Sequence, residues 1–397
     1  MTARLEGTRR LGGGKILYLH MIVGDTCQLA RLAGIRRYAA ARGWAVEAIA
    51  RGESRASMIP DILKRHRPAG CVVEGDGRMD DLPPALFGRV PVAYIDVLDE
   101  TLCGDSPRVI IDCDAVADTA FRELAALKPS CYAAVGFVRP HEWSAHRIAA
   151  FRKRVEERGG RCIVLEVEKG ESVESYIGRI HEWVAALPRG CAIFAVQGPT
   201  ARNILDAARA AARSVPRDLA VFCTAGNEET DTPAPENVSR LLFDFERVGY
   251  LAARALDEWM HGRRPPRSVE RVGPLFVERR ESTRGRGRRE PHILRALEMI
   301  RAEACEGLTA RTLAARFPGT RRLFDMRFRE AMGHSVLDEI LHVRMENAFT
   351  LLVKTDTAIG AIPGFCGFES DSALDKLFRS RCGMSMREWR KRNSWLK

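Results

Sequence analysis

The chain has 397 residues, which is too long for one ordinary hydrophobic core, so two or three domains are expected. Apolar residues make up 46% of the chain, and this content excludes a disordered protein. The formal net charge of +11 favours a polyanionic partner. Most of the excess lies in residues 284–397, where 22 Lys/Arg stand against 14 Asp/Glu. No apolar run reaches the roughly 18 residues of a membrane-spanning helix, so no membrane partner is expected.

The cysteines and the amino terminus indicate the compartment. Eleven cysteines are scattered singly without a CxxC pair, a pattern that favours free thiols in a reducing cytosol over a metal cluster. Residues 1–14 form a basic, flexible leader. The apolar run after this leader is short and lacks the cleavage site of a signal peptide, which favours a buried first strand. The sequence therefore predicts a cytoplasmic protein with no metal and no cofactor.

Short apolar runs alternate with amphipathic, Ala/Arg-rich stretches from Lys15 to Asp244. Such alternation indicates βαβ units and parallel sheets. The number of runs suits two doubly wound lobes better than one sheet, so an α/β two-lobed ligand-binding domain is expected over residues 15–278. The ligand is expected in the cleft between the lobes, at the carboxyl ends of the strands. The predicted strands are 15–22, 44–50, 70–75, 90–96, 108–113, 131–137, 161–167, 190–197, 219–225 and 240–244.

The composition changes after the last of these strands. Residues 279–291 contain six arginines, two glycines and a proline without apolar periodicity, which predicts an exposed linker. Residues 292–394 show only helical patterns and predict an all-α domain. This domain contains two similar units, 308–330 and 357–381, and each has the pattern of a helix-turn-helix.

The two units share their turn chemistry. Gly319 and Gly367 occupy the turns, and Thr320 and Ser370 are suited to cap the second helix of each unit. A long helix over 336–353 would hold the units a fixed distance apart. Two reading helices could then enter successive major-groove turns about 34 Å apart.

Pro363 lies within the first helix of the second unit. In a helix interior, proline costs about 3 kcal/mol through a lost backbone hydrogen bond and a ring clash. The sequence therefore predicts a bent or shortened support helix beside an intact reading helix. On this basis, Pro363→Ala should raise the thermal stability of the 284–397 fragment.

Four segments of the helical region match one pattern: RFREAMGHS (327–335), RMENAFTLLVKTDTAI (344–359), GFESDSALDKLFRSRCGMS (367–385) and REWRKR (387–392). They resemble the AraC/XylS-type DNA-binding domain, which implies contacts to double-stranded DNA. Met326 stands where the family often has arginine and offers only apolar contact with a thymine methyl group. The aspartates either read cytosine or pair within their helices, as Asp375 would with Arg379. The implied DNA-binding residues are Arg321, Arg322, Asp325, Met326, Arg329, Ser370, Asp371, Ser372, Asp375, Lys376 and Arg379.

Six segments of the α/β region match a second pattern: RLAGIRRYAAARGW (31–44), VIIDCD (109–114), WSAHRIAAF (143–151), AVQGPTARNIL (195–205), VFCTAGNEET (221–230) and VGYLAARALDEWMHG (248–262). They resemble the sugar-binding lobes of LacI/GalR-type repressors, a type I periplasmic-binding-protein-like fold, as fused to an AraC-type domain in xylose operon regulators. The resemblance implies a small-molecule effector. The implied ligand-binding residues are Asp25, Gln28, Arg31, Asp112, Arg147, Gln197 and Asn227.

The cleft departs from that family in its acidic residues. Gly198, and the Ala225–Gly226 pair, stand where members usually place carboxylates that bind sugar hydroxyl groups. With Arg147 retained, three alternatives stay open: a sugar acid, a neutral xylose-like sugar, or a cleft that has lost its effector. For Asp112, a hinge or capping role is an equal alternative to ligand contact.

Together these patterns predict a transcription regulator controlled by a sugar or sugar derivative. The alternative is a constitutive DNA-binding regulator with a vestigial cleft. A homodimer and a contact with RNA polymerase are further expectations from the family. An enzyme is not expected, because the chain has no GxxxxGK[ST], HExxH or GxSxG motif.

Overall fold

A computed structural model of the chain describes residues 14–20, 26–50, 56–75, 82–137, 141–168, 170–225, 235, 237–283, 291–332, 334–382 and 385–393. Within these ranges the chain forms two α/β lobes followed by a helical domain.

The first lobe is built on a six-stranded parallel sheet in the order β11-β5-β4-β3-β1-β2. Its central strands are continuous apolar runs, and all five residues of Gly70–Glu74 are buried, as expected for a sheet covered on both faces. The strands are β1 (Lys15–His20), β2 (Ala45–Ala50), β3 (Gly70–Glu74), β4 (Val92–Ile95), β5 (Arg108–Ile111) and β11 (Val269–Val272). The helices are α1 (Thr26–Ala41), α2 (Ile59–His66) and α7 (Phe245–Met260).

The second lobe repeats this plan with the order β12-β10-β9-β8-β6-β7, in which only β12 is antiparallel to its neighbour. The strands are β6 (Cys131–Val135), β7 (Cys162–Leu165), β8 (Cys191–Ala195), β9 (Leu219–Ala225), β10 (Ser239–Leu242) and β12 (Phe276–Glu278). The helices are α3 (Cys113–Ala125), α4 (Glu142–Glu156), α5 (Val173–Ala186) and α6 (Gly198–Ala210).

All ten predicted strands are present, and the two-lobed α/β fold is confirmed. The prediction missed β11 and β12, which add one edge strand to each sheet. Their sequences, VERV and FVE, are short and partly charged, and most of their residues are not buried. Their position is set by the neighbouring strand rather than by a hydrophobic run of their own.

The described chain passes between the two sheets three times. It crosses from Ile111 to α3, from Leu242 to α7, and from Val272 to β12. One cluster of buried residues continues across the lobes, from Ile16 in the first to Phe194 in the second. The lobes are therefore joined by three short segments and by a shared apolar contact.

Helices α1 and α7 pack on the first lobe with their backbones in contact. A Cβ atom on Gly34 would lie 1.8 Å from the carbonyl oxygen of Glu246, and one on Gly249 would lie 1.9 Å from that of Arg31. Because no real Cβ contact is that short, only glycine fits at these two positions.

The described cysteines are consistent with the free thiols expected from their spacing. Ten of them are free, and most are buried. Burial raises the pKa of the Cys71 and Cys223 thiols to about 12, so these thiols stay protonated near neutral pH.

The expected linker over 279–291 is wrong at its beginning. Ser282 is buried beneath the second lobe, where its hydroxyl donates to the carbonyl of Val221 and its backbone N–H donates to that of Asn237 at 2.9 Å. Small hydroxyl side chains satisfy such buried backbone groups. In an arginine-rich stretch, the composition alone does not indicate that a serine is buried. The α/β domain therefore extends to Thr283.

The carboxyl-terminal region is helical and carries two helix-turn-helix units. The two helix-turn-helix units lie at α9/α10 and at α12/α13, and α11 joins them. The helices are α8 (Pro291–Glu303), α9 (Ala310–Ala314), α10 (Arg321–Met332), α11 (Val336–Lys354), α12 (Ile362–Phe365), α13 (Asp371–Cys382) and α14 (Met386–Asn393).

The turns of the two units differ in how tightly they are held. Gly319 and Gly367 both have positive φ, +102° and +73°, so glycine is favoured at both. At Gly367 a Cβ atom would also lie 2.8 Å from two carbonyl oxygens. Thr320 caps α10 as expected, since its Oγ1 accepts from the Leu323 N–H at 3.3 Å. The Ser370 hydroxyl instead lies 3.1 Å from the Ser372 hydroxyl.

Pro363 occupies a different place from the one that the sequence predicts. A 3₁₀ turn over Ile359–Ala361 precedes α12, and Pro363 lies in the first turn of that four-residue helix. The support helix is therefore shortened, as predicted. A first-turn residue has no intrahelical acceptor for its N–H, so the expected cost does not arise. The Pro363 ring is buried, and its carbonyl accepts from Phe368 N–H at 2.9 Å.

Gly249→Ala should destabilise the chain by about 1–3 kcal/mol, because the new methyl group must push α1 away from α7. Gly178→Ala is the matched control, since Gly178 is a helical glycine with nothing within 4 Å of its Cβ position. It should leave stability unchanged or raise it by up to about 1 kcal/mol. Urea unfolding of both variants tests the contact, and equal effects at the two glycines would contradict it.

Pro363→Ala should lower stability by about 0.4–1 kcal/mol, reversing the expectation from sequence, because alanine frees the unfolded chain without relieving any clash. Gly364→Ala, one residue later in open space, should act in the opposite direction. Thermal unfolding of the helical domain within the full chain measures both. A gain near 3 kcal/mol for Pro363→Ala would show that the proline is strained.

Candidate effector cleft and nucleic-acid interface

Two buried arginines from opposite lobes flank one aromatic pair between the lobes. The Arg31 guanidinium lies 4.9 Å from the Phe245 ring, and that ring lies 5.6 Å from the ring of Phe243. The Arg147 guanidinium lies 5.1 Å from the Phe243 ring on the other side. Arg31 and Arg147 are each only 7% exposed. The second interlobe crossing, which carries both phenylalanines, thus forms the floor of the cleft.

Carboxylates of the first lobe neutralise Arg31. Its two terminal nitrogens form ion pairs with Glu74, the last residue of β3, and with Asp96, which follows β4. Tyr18 donates to Glu74 at 3.0 Å, and the backbone N–H of Ile111 donates to Asp96 at 2.9 Å. These bonds fix the carboxylates, so Arg31 is held rigidly at the cleft.

Arg147 has no such partner in the described part of the chain. One of its terminal nitrogens donates to the hydroxyl of Thr224 at a long 3.4 Å, and its Nε has no hydrogen-bond partner among the described residues. The guanidinium lies 4.6 Å from the Trp143 ring and faces Phe243. A buried cation held mainly by aromatic faces, without a carboxylate among the described residues, retains donors for a bound molecule.

The other predicted ligand residues have different surroundings. Gln28 is buried on α1, and Gln197 precedes α6 without capping it, so its side-chain amide is not used in a cap. Asp112 accepts from the Ala115 N–H at 3.0 Å and caps α3. This is the capping role that the sequence offered as an alternative to ligand contact. Asp25 and Asn227 lie outside the described residues.

Sequence reasoning missed several residues of this cleft. Glu74 and Asp96 end two of the predicted buried strands, and a charged residue at the carboxyl end of such a strand is a usable signal. The aromatic residues Trp143, Phe243 and Phe245 gave no comparable signal, because only the crossing at Phe243 brings them together.

The exposed face of α10 carries the first set of predicted DNA-binding residues. Phe324 and Phe328 bury the opposite face in the core. Arg321, Arg322 and Arg329 are exposed, and so is Met326 at 57%. Asp325 is half-buried and lies 3.6 Å from the Arg321 guanidinium, which supports intrahelical pairing over base contact. Arg322 and Arg329 have no carboxylate partner among the described residues.

Helix α13 presents the second set in the same way. Leu374 and Phe378 are fully buried. Asp375 pairs with Arg379 at 2.8 Å, as one alternative from the sequence foresaw. Lys376 is exposed and has no carboxylate partner in the part of the chain that the structure describes. The predicted Ser370, Asp371 and Ser372 are exposed at its amino terminus.

Helix α11 fixes both units to one support. Arg344 donates to the carbonyls of Ala304 at 2.8 Å and Leu308 at 2.9 Å, next to the first unit. Asn347 donates to the carbonyl of Phe365 at 3.0 Å, in the second unit. The two reading helices are therefore held by side chains less than one helical turn apart.

Among the described residues, no group of three His, Cys, Asp or Glu side chains is placed to hold a metal ion. Among the same residues, no helix is both long and apolar enough to cross a membrane.

Two family models match the chain. Residues 122–283 match a periplasmic binding protein-like domain, and residues 313–392 match a helix-turn-helix domain. The first ends at Thr283, where the α/β domain ends in the structure.

Curated relatives include the xylose operon regulatory protein of Escherichia coli (strain K12), which is 27% identical over 70% of this chain and 72% of its own length. The corresponding protein of Haemophilus influenzae is 25% identical over 72% and 74%. A solved xylose-binding transcription activator aligns with a TM-score of 0.59 at 23% identity, covering 97% of this chain and 100% of its own.

The lac repressor dimer bound to operator aligns with a TM-score of 0.57 at 15% identity, over 68% of this chain and 94% of its own. At these identities the two structural likenesses describe the fold. The chain is a DNA-binding transcription regulator that joins a periplasmic-binding-protein-like sensor domain for a small molecule to an AraC-type helix-turn-helix domain.

Proposed function

We propose that the regulator binds a single sugar or sugar derivative in the interlobe cleft and reads DNA with α10 and α13. The main support for effector binding in the cleft is Arg147, a buried guanidinium whose Nε has no hydrogen-bond partner among the described residues. Aromatic faces with a few convergent polar groups suit a hydroxylated ring. This arrangement supports a working cleft rather than a vestigial one.

The candidate effectors follow from the relatives and from the charges. The curated relatives are named for xylose, so D-xylose is the first candidate. Arg31 is already paired with two carboxylates, whereas Arg147 has none among the described residues, so a sugar acid that pairs with Arg147 is the second candidate. Gln28, Asp112 and Gln197 are proposed as further contacts, together with Asp25 and Asn227.

The proposal extends to assembly and location. We propose domain bounds of 14–283 for the sensor and 291–393 for the reader, and the order of the described helices and strands supports them. A homodimer would present two readers to one operator, as symmetric regulators do. Contact with RNA polymerase and a place in the cytoplasm follow from acting on transcription, and the proposed role requires no turnover of the effector.

Lys376→Ala and Arg322→Ala should each weaken binding to a mixed-sequence DNA duplex. Each removes an exposed cation that has no carboxylate partner among the described residues, so one counterion fewer is released and the salt slope should fall by about 1. Fluorescence anisotropy at several salt concentrations measures both quantities.

Arg295→Ala is the matched control, because Arg295 is exposed on α8 rather than on α10 or α13. It should leave the slope near the wild-type value. If all three variants lose the same affinity, the proposed reading face is wrong and only net charge matters.

A thermal-shift panel of D-xylose, other neutral pentoses and hexoses, and their sugar acids tests the cleft. The true effector should stabilise the sensor by about 2.7 kcal/mol at a hundredfold excess over its Kd, which raises the melting temperature by a few degrees. Arg147→Ala should abolish the shift.

Arg267→Ala serves as the control, since Arg267 pairs with Asp105 in an exposed position. A shift with no member of the panel would contradict the sensor proposal. Consumption of a bound sugar would contradict a purely regulatory role.

A further inference from the structure

The sensor domain and the reader meet at the strand that follows the third interlobe crossing. The Phe276 ring of β12 stacks on the Phe349 ring of α11, with centroids 6.0 Å apart and an angle of 5° between the planes. Leu275, within that crossing, packs against the same core of the reader. A segment that links the two lobes thus also forms the apolar dock for α11.

One arginine adds a polar bridge to this dock. Arg279 directly follows β12, and two of its nitrogens donate to Glu123 at 2.6 and 2.7 Å. The third nitrogen lies 2.9 Å from Nδ1 of His342 on α11. Since arginine can only donate, His342 must accept through Nδ1 and carry its proton on Nε2. Arg279 therefore joins α3 of the sensor to α11 of the reader.

The reader side of the bridge is incompletely satisfied. His342 is 8% exposed, and its Nε2 lies 3.0 Å from Oε1 of Glu346. The geometry is unsuited to a hydrogen bond, and neither atom has a hydrogen-bond partner among the described residues. Buried polar groups left in this state are costly, and a change in the side-chain torsions of these two residues, which both lie on α11, would align them.

The sensor side of the bridge leads back to the cleft. Helix α3 begins at the first interlobe crossing, where Asp112 caps it, and it carries Glu123 near its other end. Its 13 residues span about 20 Å. It packs along α4, the helix that carries Trp143 and Arg147, and Arg154 of α4 pairs with Asp118 of α3. A molecule that pulls α4 therefore moves α3 as well.

We propose that Arg279 is a positioning residue that couples closure of the cleft to the orientation of the DNA reader, through the Glu123–Arg279–His342 bridge. This inference rests on the proposed function, because it needs an effector that moves the second lobe. Because α3, β12 and Arg279 all belong to the second lobe, closure of the cleft carries the bridge and the apolar dock with that lobe, and α11 with them. Helix α11 then carries the movement to both reading helices together.

The first test is amide hydrogen exchange of the full chain over residues 336–354, without any effector. Arg279→Ala and Glu123→Gln should each speed exchange there severalfold, and the double variant should do no more than either one, since all three break one bridge. Arg267→Ala, which removes another arginine–carboxylate pair of the sensor, should leave exchange unchanged. Glu123→Arg combined with Arg279→Glu should restore slow exchange.

The second test measures DNA affinity with and without saturating D-xylose, or with the member of the panel that gives the largest thermal shift. Coupling of this kind is typically about tenfold in affinity, and Arg279→Ala should reduce the sugar's effect to below about twofold. The thermal shift caused by the sugar should stay at its wild-type value, which a general loss of structure would not allow.

Arg279→Ala could show wild-type hydrogen exchange and a wild-type effect of the sugar on DNA affinity. That result would overturn the proposed role of the bridge and leave the proposed function intact. A sugar panel without any effect on the wild-type chain would instead overturn the proposed function. Exchange over 336–354 would then still decide whether Arg279 orients α11.

Discussion

The three crossings of the chain between its two sheets are the constraint on which the rest of the molecule depends. Because α7 returns to the first lobe and β12 to the second, neither lobe is a continuous piece of sequence. The lobes can turn about these segments but cannot separate. Each crossing also has a second role: one begins α3, one carries the aromatic floor of the cleft, and one becomes the dock for α11.

The cleft separates two kinds of arginine by their surroundings. Arg31 is balanced by carboxylates that are themselves held by Tyr18 and by a backbone N–H, so both of its terminal nitrogens are paired without a ligand. Arg147 is surrounded by rings and a distant hydroxyl, so its surroundings are completed by whatever binds. The first lobe thus provides a preorganised side of the cleft, whereas the second lobe provides the donor group that a ligand can satisfy.

Periodicity predicted the strands and reading helices well, because buried runs and N-caps are local signals. It failed where tertiary contacts decide. The strands VERV and FVE are ordered by their neighbours, Ser282 is hidden in an arginine-rich stretch, and Pro363 lies in a first turn that no local pattern revealed. In the cleft, the resemblance to a known family was enough to predict Arg147. Its aromatic surroundings could not be predicted, because they form only where the chain crosses between the lobes at Phe243.

Helix α11 has a consequence for the DNA that this protein can recognise. Arg344 and Asn347 fasten the two helix-turn-helix units to the same helix, and a separate buried core packs against each half of it. The angle around the DNA axis between the two contacted grooves is therefore set by the protein. An operator for this chain can vary in its bases at many positions, but the helical phase between its two contacted segments is fixed.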